Sequence, residues 1–156
     1  MSEPRFTILD TLGDELKDAI LADLRQYNRA QNAAWFEALA LPGGAARPMN
    51  VVAFDAMDRP LGGLLGETQL SWLKILYLSV RADSRRCGIG ARLMAMAELE
   101  AVRRGCKYSL TDTMEYQAPD FYRKLGYRVV GQLDDWDSHG HAKFFLAKSL
   151  RPMPLP

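Results

Sequence analysis

The amino-acid sequence predicts a mixed fold of the α/β (α+β) class, with a central, mostly antiparallel sheet flanked by helices. In the segment Trp72–Val80, apolar side chains occur at both sets of alternating positions, as they do in a central strand covered on both faces. The segment Ile89–Arg104 has strong helical periodicity and lies between two predicted strands, which it would make locally parallel. The other predicted strands are joined by short turns, which favour antiparallel neighbours.

The chain up to Gly66 is predicted to hold a strand, a helix and a hairpin, in that order. Residues Arg5–Leu9 are interpreted as a short first strand. Residues Asp14–Arg29 are interpreted as an amphipathic helix, because their apolar side chains recur at helical spacing. The segments Asn50–Phe54 and Leu61–Gly66 flank an Asp-Arg-Pro turn and therefore form a hairpin.

The helix Ile89–Arg104 is the clearest element of the chain. It carries two arginines at its negative end, and Gly105 follows directly after it. The later elements are a strand at Tyr108–Asp112, a short helix at Pro119–Leu125, and closing strands at Tyr127–Gln132 and Lys143–Lys148. No linker separates two halves, so we expect one domain over residues 1–156.

Composition and charge limit the classes of partner. The 156 residues include 20 Lys and Arg and 19 Asp and Glu, so a net charge of +1 gives no field that would attract nucleic acid or an acidic membrane. No segment reaches the ~18 apolar residues of a membrane span, and the N-terminus does not resemble a secretory signal, so we expect a cytoplasmic protein. Cys87 and Cys106 form neither a disulfide framework nor a zinc motif, and no metal is expected.

The segment Val80–Ala91 predicts an anion site. A buried strand ends there, a turn rich in glycine and arginine follows, and a helix begins whose free N–H groups and positive dipole end suit a pyrophosphate. The spacing is not that of a dinucleotide fold, because Leu93 stands where the third glycine would be, and the Lys-Ser or Lys-Thr of a triphosphate loop is absent. A plain tight turn at a helix start is the alternative interpretation.

Two motifs resemble those of the GNAT family of N-acetyltransferases. Residues Arg85–Gly90, with the sequence RRCGIG, match the signature R/Q-x-x-G-x-G/A, and residues Ala118–Tyr127 match the later FYxKxGF-like block. The resemblance covers about residues 51–150, and residues 1–50 are compatible with the family's variable acceptor-side helices. It implies a mixed sheet that is splayed into a V, with acetyl-CoA lying in the opening.

The resemblance also implies which residues bind the cosubstrate. They are Leu78, Ser79, Val80, Arg85, Arg86, Cys87, Gly88, Ile89, Gly90, Ala91 and Tyr122. Backbone groups of Leu78–Val80 would pair with the pantetheine arm, and the N–H groups from Arg86 to Ala91 would hold the pyrophosphate. Cys87 stands at a position that the motif leaves free, which argues against a catalytic thiol.

Two catalytic side chains are predicted from the same resemblance and from the chemistry of acyl transfer. Tyr122 matches the tyrosine that meets the departing thiolate, although it could also be a packing residue beside Phe121. An amine that arrives protonated also needs a base. The family often uses a Glu on the central strand, but Trp72–Val80 contains no carboxylate, so Glu67 is the first candidate, Asp112 the second, and water a substitute.

The segment Asp134–His141 gathers three carboxylates, two histidines and Trp136 between the last strands. A metal site, a solvated loop and the mouth of the acceptor site are three interpretations, and the ligand set is poor for a metal. At the mouth, Asp134, Asp135 and Asp137 would attract a cationic amine. Otherwise the acceptor site falls to the N-terminal helix around residues 27–35.

The predicted function is transfer of an acetyl group from acetyl-CoA to a primary amine of a small molecule, by direct attack in a ternary complex. A cationic metabolite or an antibiotic would be such an acceptor. The alternatives are a silent coenzyme A-binding sensor or interaction module, and an acetyltransferase for protein or peptide amines. A nucleic-acid binder is disfavoured by the lack of a basic stripe, and a homodimer is left open.

Overall fold

A computed structural model describes residues 3–150, which divide into one compact unit up to Ala40 and a second from Leu41 onward. In chain order the elements are α1 (Asp14–Gln31), α2 (Ala33–Ala40), β1 (Arg47–Phe54), β2 (Pro60–Gln69), β3 (Trp72–Val80), α3 (Ile89–Arg103), β4 (Tyr108–Met114), α4 (Pro119–Lys124), β5 (Arg128–Leu133) and β6 (Lys143–Ser149). The organisation as a single domain over residues 1–156 stays a prediction.

The first unit is a pair of helices. Helix α1 confirms the predicted amphipathic helix, and Asn32 separates it from α2, since the Asn32 side chain accepts a hydrogen bond from the backbone N–H of Trp35 at 3.2 Å. The predicted strand Arg5–Leu9 is wrong, because those residues form neither helix nor strand. Phe6 and Ile8 are 89% and 96% exposed. The segment alternates apolar and polar residues, but no strand of the described residues pairs with it to satisfy its backbone hydrogen bonds.

The second unit is a six-stranded sheet with the order β1-β2-β3-β4-β6-β5. The pair β3 and β4 is parallel and the other four neighbouring pairs are antiparallel. Helix α3 connects β3 to β4, which is the right length and position for a parallel crossover. The predicted fold class, a mixed and mostly antiparallel sheet flanked by helices, is therefore confirmed.

Helix α3 forms the main core of this unit against β1, β2 and β3. Leu64, Leu73 and Met94 are almost completely buried at this interface, and Ala97 has no exposed surface because the helix lies close to the sheet. The C-terminal end of the helix is fixed by Arg104. Its guanidinium donates to the Pro48 carbonyl at 2.8 Å and to the Thr68 hydroxyl at 3.2 Å, so the helix is held to β1 and β2.

Strand β3 contains a bulge that changes which side chains face the core. Leu65 pairs with Tyr77 and Gly66 pairs with Ile75, which leaves Leu76 as the extra residue of β3. The prediction that β3 is covered on both faces fails in this half, since Leu76 and Tyr77 are 55% and 70% exposed. Pairing with β4 is confined to residues 72–74, so the two strands then separate and open the V that the resemblance implied.

A buried polar network ties α3 to the far half of the sheet. The Tyr127 hydroxyl lies 2.6 Å from the Ser109 hydroxyl and 3.0 Å from a Glu98 carboxylate oxygen, and the Lys148 ammonium donates to the other Glu98 oxygen at 2.6 Å. Because the Tyr127 hydroxyl donates its hydrogen bond to Glu98, the Ser109 hydroxyl donates to the phenol oxygen. Burial, and then the Glu98 charge, raise the pKa of Tyr127 far above that of free tyrosine.

We predict that Tyr127→Phe lowers the free energy of unfolding by about 1–3 kcal/mol, because the buried Ser109 hydroxyl and the partly buried Glu98 Oε1 lose their hydrogen bonds to the phenol. Urea denaturation measures this difference. The control is Tyr77→Phe, which removes a hydroxyl from a side chain that is 70% exposed and should change stability by less than about 0.5 kcal/mol. Equal effects of the two substitutions would contradict a stabilising role for the network.

Candidate active site

The separation of β3 and β4 creates a cavity of about 540 Å³. Its walls come from Leu76–Val80 on β3, Thr111–Thr113 on β4, Tyr116–Ala118 in the connection to α4, and the side chains of Arg85 and Tyr122. If β3 and β4 stayed paired beyond residue 74, the two strands would lie side by side and leave no space between them. The cavity is therefore a direct consequence of the splayed sheet.

A second cavity, of about 630 Å³, lies beside the first at the start of α3. It is lined by residues 84–86 and 88–91 together with Phe121. Leu78, Val80, Arg85 and Ala118 line both cavities, so the two form one continuous groove. The groove joins the turn before α3 to the opening between β3 and β4.

The turn before α3 leaves a set of N–H groups at the second cavity. Gly88 has a left-handed backbone with φ of 78°, and the first hydrogen bond of the helix runs from the Arg92 N–H to the Gly88 carbonyl at 3.0 Å. The N–H groups of residues 89–91 precede this bond and so have no carbonyl within the helix to accept from them. Together with the positive end of the helix dipole they form an anion-binding surface.

The two glycines of the motif are there for different physical reasons. A Cβ at Gly88 would meet nothing within 4 Å, so the left-handed φ is what requires glycine there. A Cβ at Gly90 would lie 3.3 Å from the Phe121 ring, so this glycine lets α3 pack against α4. Gly90 nevertheless also lines the second cavity, so its predicted role in binding the pyrophosphate stays a prediction.

The positive charge at this turn comes from Arg85 and Arg86, which both line the second cavity. Arg85 donates its Nε–H to the Val80 carbonyl at 3.0 Å, which fixes the guanidinium beside the groove. Arg81 instead forms a two-point contact with Asp83, and this hydrogen bond lowers the pKa of Asp83 to about 2. Cys87 is exposed, with Sγ 3.5 Å from the Arg85 carbonyl.

Leu78 and Val80 line both cavities, and Ser79 between them lines the first cavity. On one side these three residues pair with residues 62–64 of β2. On the other side β4 has already separated, and no strand in the described part of the chain pairs with them. This segment therefore offers main-chain groups to an extended ligand in the groove.

Tyr122 lies at the far end of the groove from the turn, on α4, and is only 7% exposed. Its ring contacts Phe121 and Tyr127 edge to face, with centroid distances of 5.2 and 5.8 Å. Burial raises the pKa of the phenol, the Asp112 charge adds to the effect, and a hydrogen bond with Thr111 opposes it. The hydroxyl therefore stays protonated at neutral pH and is available as a donor.

Asp112 is the carboxylate in the wall of the first cavity. The Lys143 ammonium lies 2.8 Å from its Oδ1, and the same ammonium lies 4.7 Å from the centre of the Trp136 ring. Trp136 therefore already faces a cation of this chain. Glu67 lines neither cavity and lies 3.6 Å from the Lys74 ammonium, so the structure does not bring Glu67 to Tyr122, and its assignment as base stays a prediction.

The acidic segment Asp134–His141 uses its carboxylates mainly within the loop. The Asp135 side chain accepts from the Gly140 N–H at 2.6 Å, and the Asp134 side chain accepts from Gln132 at 2.6 Å. The loop adjoins the first cavity through Tyr116, whose ring contacts His141 edge to face at 5.1 Å. Among residues 3–150 no group of three or more His, Cys, Asp or Glu side chains is arranged to hold a metal ion.

Sequence reasoning missed the contribution of the β4–α4 connection to this site. Tyr116 and Gln117 line the first cavity, and the Gln117 side-chain oxygen accepts from the Met114 N–H at 2.9 Å. No spacing rule identifies such residues, because the splayed sheet brings them to the groove. His141 was considered only as one residue of the loop Asp134–His141, without a role of its own. In the described residues, no helix is long and apolar enough to span a membrane.

Sequence comparison finds a family model and curated relatives that match half of the chain or more. A family model described as an acetyltransferase (GNAT) domain matches residues 49–129. A blasticidin-S acetyltransferase of Streptomyces morookaense is 38% identical over 109 residues, which cover 67% of this chain and 79% of that protein. All residues that line the groove, from Leu76 to Tyr122, lie inside the region matched by the family model.

Solved structures share the fold. The crystal structure of an acetyltransferase from Bacillus cereus matches with a TM-score of 0.72 and 26% identity, covering 92% of this chain and 97% of that one. An aminoglycoside 6'-N-acetyltransferase complexed with coenzyme A matches in fold, with a TM-score of 0.61 and 23% identity over 96% of this chain and 98% of that one. The sequence and structural matches together show that this chain belongs to the GNAT family and is an acetyltransferase of GNAT type.

Proposed function

We propose that this protein uses acetyl-CoA to acetylate a primary amine of a small molecule, with both substrates bound at once. The observation that carries the proposal is the continuous groove, which has an anion-binding turn at one end and a protonated tyrosine at the other. Coenzyme A has the matching order of groups, with a pyrophosphate, an extended pantetheine arm and a terminal sulfur. The groove is thus suited to hold the thioester near Tyr122.

The turn before α3 would hold the pyrophosphate. The N–H groups from Arg86 to Ala91 would donate to the phosphate oxygens, and the guanidinium groups of Arg85 and Arg86 would add charge-assisted contacts. The free edge of β3 at residues 78–80 would pair with the amides of the pantetheine arm, as an added strand would. In this arrangement Cys87 contributes its backbone, and its thiol takes no part in the chemistry.

The activities of similar proteins support both substrates. The aminoglycoside 6'-N-acetyltransferase of the same fold is complexed with coenzyme A, which favours acetyl-CoA as the donor here. The Streptomyces relative is named as a blasticidin-S acetyltransferase, so two similar proteins act on antibiotics. We infer that the acceptor of this chain is also a small-molecule amine.

In the proposed reaction the neutral amine attacks the thioester carbonyl, the carbon–sulfur bond breaks, and the leaving thiolate meets Tyr122. A phenol near pKa ~10 is a weaker acid than a thiol near ~8.5, so full proton transfer to sulfur is uphill by about 2 kcal/mol before the site changes either value. Burial raises the pKa of Tyr122 and increases this difference. Hydrogen-bond donation to the sulfur as charge develops is therefore the larger part of its role.

The acceptor would enter at the first cavity, where Asp112 and Tyr116 line the wall. The acidic loop Asp134–His141 adjoins this cavity, but Trp136 is covered by the Lys143 ammonium and most of the loop carboxylates accept backbone or amide hydrogens. A cationic acceptor would therefore meet Asp112 first, in competition with Lys143. The loop carboxylates would therefore contribute to acceptor binding only indirectly.

We predict that Gly88→Asp weakens acetyl-CoA binding by at least ~10-fold, or ~1.4 kcal/mol, because a carboxylate would enter the anion site. The matched variant is Gly88→Asn, which has nearly the same shape, no charge, and a residue type that tolerates a left-handed backbone. Calorimetry on the folded variants gives both dissociation constants. If the two variants bind acetyl-CoA equally well, the pyrophosphate does not lie at this turn.

We predict that Tyr122→Phe lowers turnover by ~10²-fold and leaves acetyl-CoA affinity within about twofold, because only the hydroxyl that meets sulfur is lost. Release of free thiol with a panel of amines measures turnover. Tyr127→Phe is the control for loss of a buried tyrosine hydroxyl, since Tyr127 lines neither cavity and should keep turnover below its unfolding temperature. Wild-type protein that binds acetyl-CoA but releases thiol with no amine would instead favour a silent binding module.

A further inference from the structure

We propose that His141, held by Asp137, is the base that removes the proton from the acceptor's ammonium group. The proposal rests on the proposed function, and it names a group that neither sequence motif contains. It follows from the position of one imidazole between a carboxylate of its own loop and an aromatic side chain of the first cavity.

The first observation is the Asp137–His141 pair. Asp137 Oδ2 lies 2.7 Å from His141 Nδ1, which places the Nδ1 proton in a hydrogen bond with the carboxylate. Nε2 is then the nitrogen with the free lone pair, and no side chain or backbone group of residues 3–150 makes a hydrogen bond with it. The pair therefore has the arrangement of a base with an orienting carboxylate.

The second observation is that the loop fixes this carboxylate. Asp137 Oδ1 accepts from the backbone N–H groups of His139 at 2.9 Å and His141 at 3.2 Å. Burial acts to raise the pKa of Asp137, but these backbone hydrogen bonds and the contact with the His141 ring together lower it. Asp137 stays ionised and can stabilise a positive charge on the imidazole. The Trp136 N–H also donates to the His141 carbonyl at 2.9 Å, which holds the backbone there.

The third observation is the position of His141 beside the cavity. Its ring lies edge to face against Tyr116, at 5.1 Å between centroids and 82° between planes, and Tyr116 lines the same cavity as Tyr122. The His141 side chain is 43% exposed, so a proton accepted at the cavity can pass to solvent. His141 does not itself line this cavity, but an ammonium group held beside Tyr116 would be within reach of Nε2, directly or through one water.

The carboxylates considered from the sequence are less suitable as bases. Asp112 lies in the cavity wall, but the Lys143 ammonium already contacts its Oδ1 at 2.8 Å. Glu67 pairs with Lys74, and neither of them lines either cavity, whereas His141 contacts Tyr116 of the first cavity. Imidazole is the side chain best suited to accept a proton near neutral pH.

The proton balance of the reaction is then complete. One N–H bond of the ammonium breaks as the proton moves to His141 Nε2, and the imidazolium beside Asp137 later releases that proton to water. The amine attacks and the carbon–sulfur bond breaks while Tyr122 donates a hydrogen bond to the leaving sulfur. The proton that the nitrogen loses as it becomes an amide then passes to the thiolate. The products are the amide, the free thiol of coenzyme A and one proton in solution.

Several titratable groups face His141 and its loop. Asp137 and His139 belong to the same loop, and Tyr116 contacts the ring from the β4–α4 connection. Glu115 accepts from the Ala142 N–H at 2.8 Å, next to His141 along the chain. From β6, the Lys143 ammonium faces the Trp136 ring and pairs with Asp112.

The test compares His141→Gln with His139→Gln, which changes the other histidine of the loop, an exposed residue whose Nδ1 contacts the Asp137 carbonyl at 2.8 Å. For the wild-type protein and both variants, kcat/KM is measured by thiol release from pH 6 to 10 with one alkylamine acceptor. We expect His141→Gln to lower kcat/KM by ~10²-fold at neutral pH, with the loss shrinking as pH approaches the acceptor's own pKa. His139→Gln should follow the wild-type profile.

Further measurements separate a base from a structural residue. His141→Gln should keep the wild-type acetyl-CoA affinity and melting temperature, and its loss should be smallest for a weakly basic amine that is already neutral. Asp137→Asn should lower kcat/KM by less than His141→Gln does, since it removes the partner of the base. A loss that is the same at every pH and for every amine, or an equal loss in His139→Gln, would overturn the proposal. Wild-type protein that acetylates no amine would overturn the proposed function as well.

Discussion

The early end of the β3–β4 pairing is the constraint on which the candidate active site depends. The two strands are paired only at residues 72–74, and the bulge at Leu76 then changes the direction of β3. If pairing continued to Val80, the main-chain groups along this edge would bond to β4 and no cavity would remain. In a folded protein those groups need other partners, either water or a ligand. The sheet is therefore incomplete at this opening, where a ligand can complete it.

Contacts made by the middle and the C-terminal end of α3 hold the elements around the opening in place. Arg104 fixes the end of α3 to β1 and β2, while Glu98 links the middle of the same helix to Tyr127 and Lys148. The start of α3 is left to form the turn with Gly88 and to present its N–H groups. A helix anchored along its middle and C-terminal end gives that turn a fixed position relative to β3, which preorganises the anion site.

The sequence predicted the helices and strands better than it predicted which of them, and which side chains, lie next to each other in space. Local periodicity placed β3 at its observed bounds and α3 within one residue, because both depend on a regular pattern of burial. It failed at Arg5–Leu9, where alternation meets no partner strand, and in the second half of β3, where the bulge exposes Tyr77. The anion-binding turn was predictable because it is local, whereas the contact between His141 and Tyr116 depends on how the sheet opens.

The environments of the two proposed proton-transfer groups differ in the way that their tasks require. Tyr122 is buried beside Asp112, which raises its pKa and keeps the hydroxyl as a donor at the leaving sulfur. His141 is partly exposed and bound to an ionised carboxylate, which suits a group that must accept a proton and release it to water. Burial and charge thus separate donor from acceptor around one cavity, and each group can act without changing the protonation state of the other.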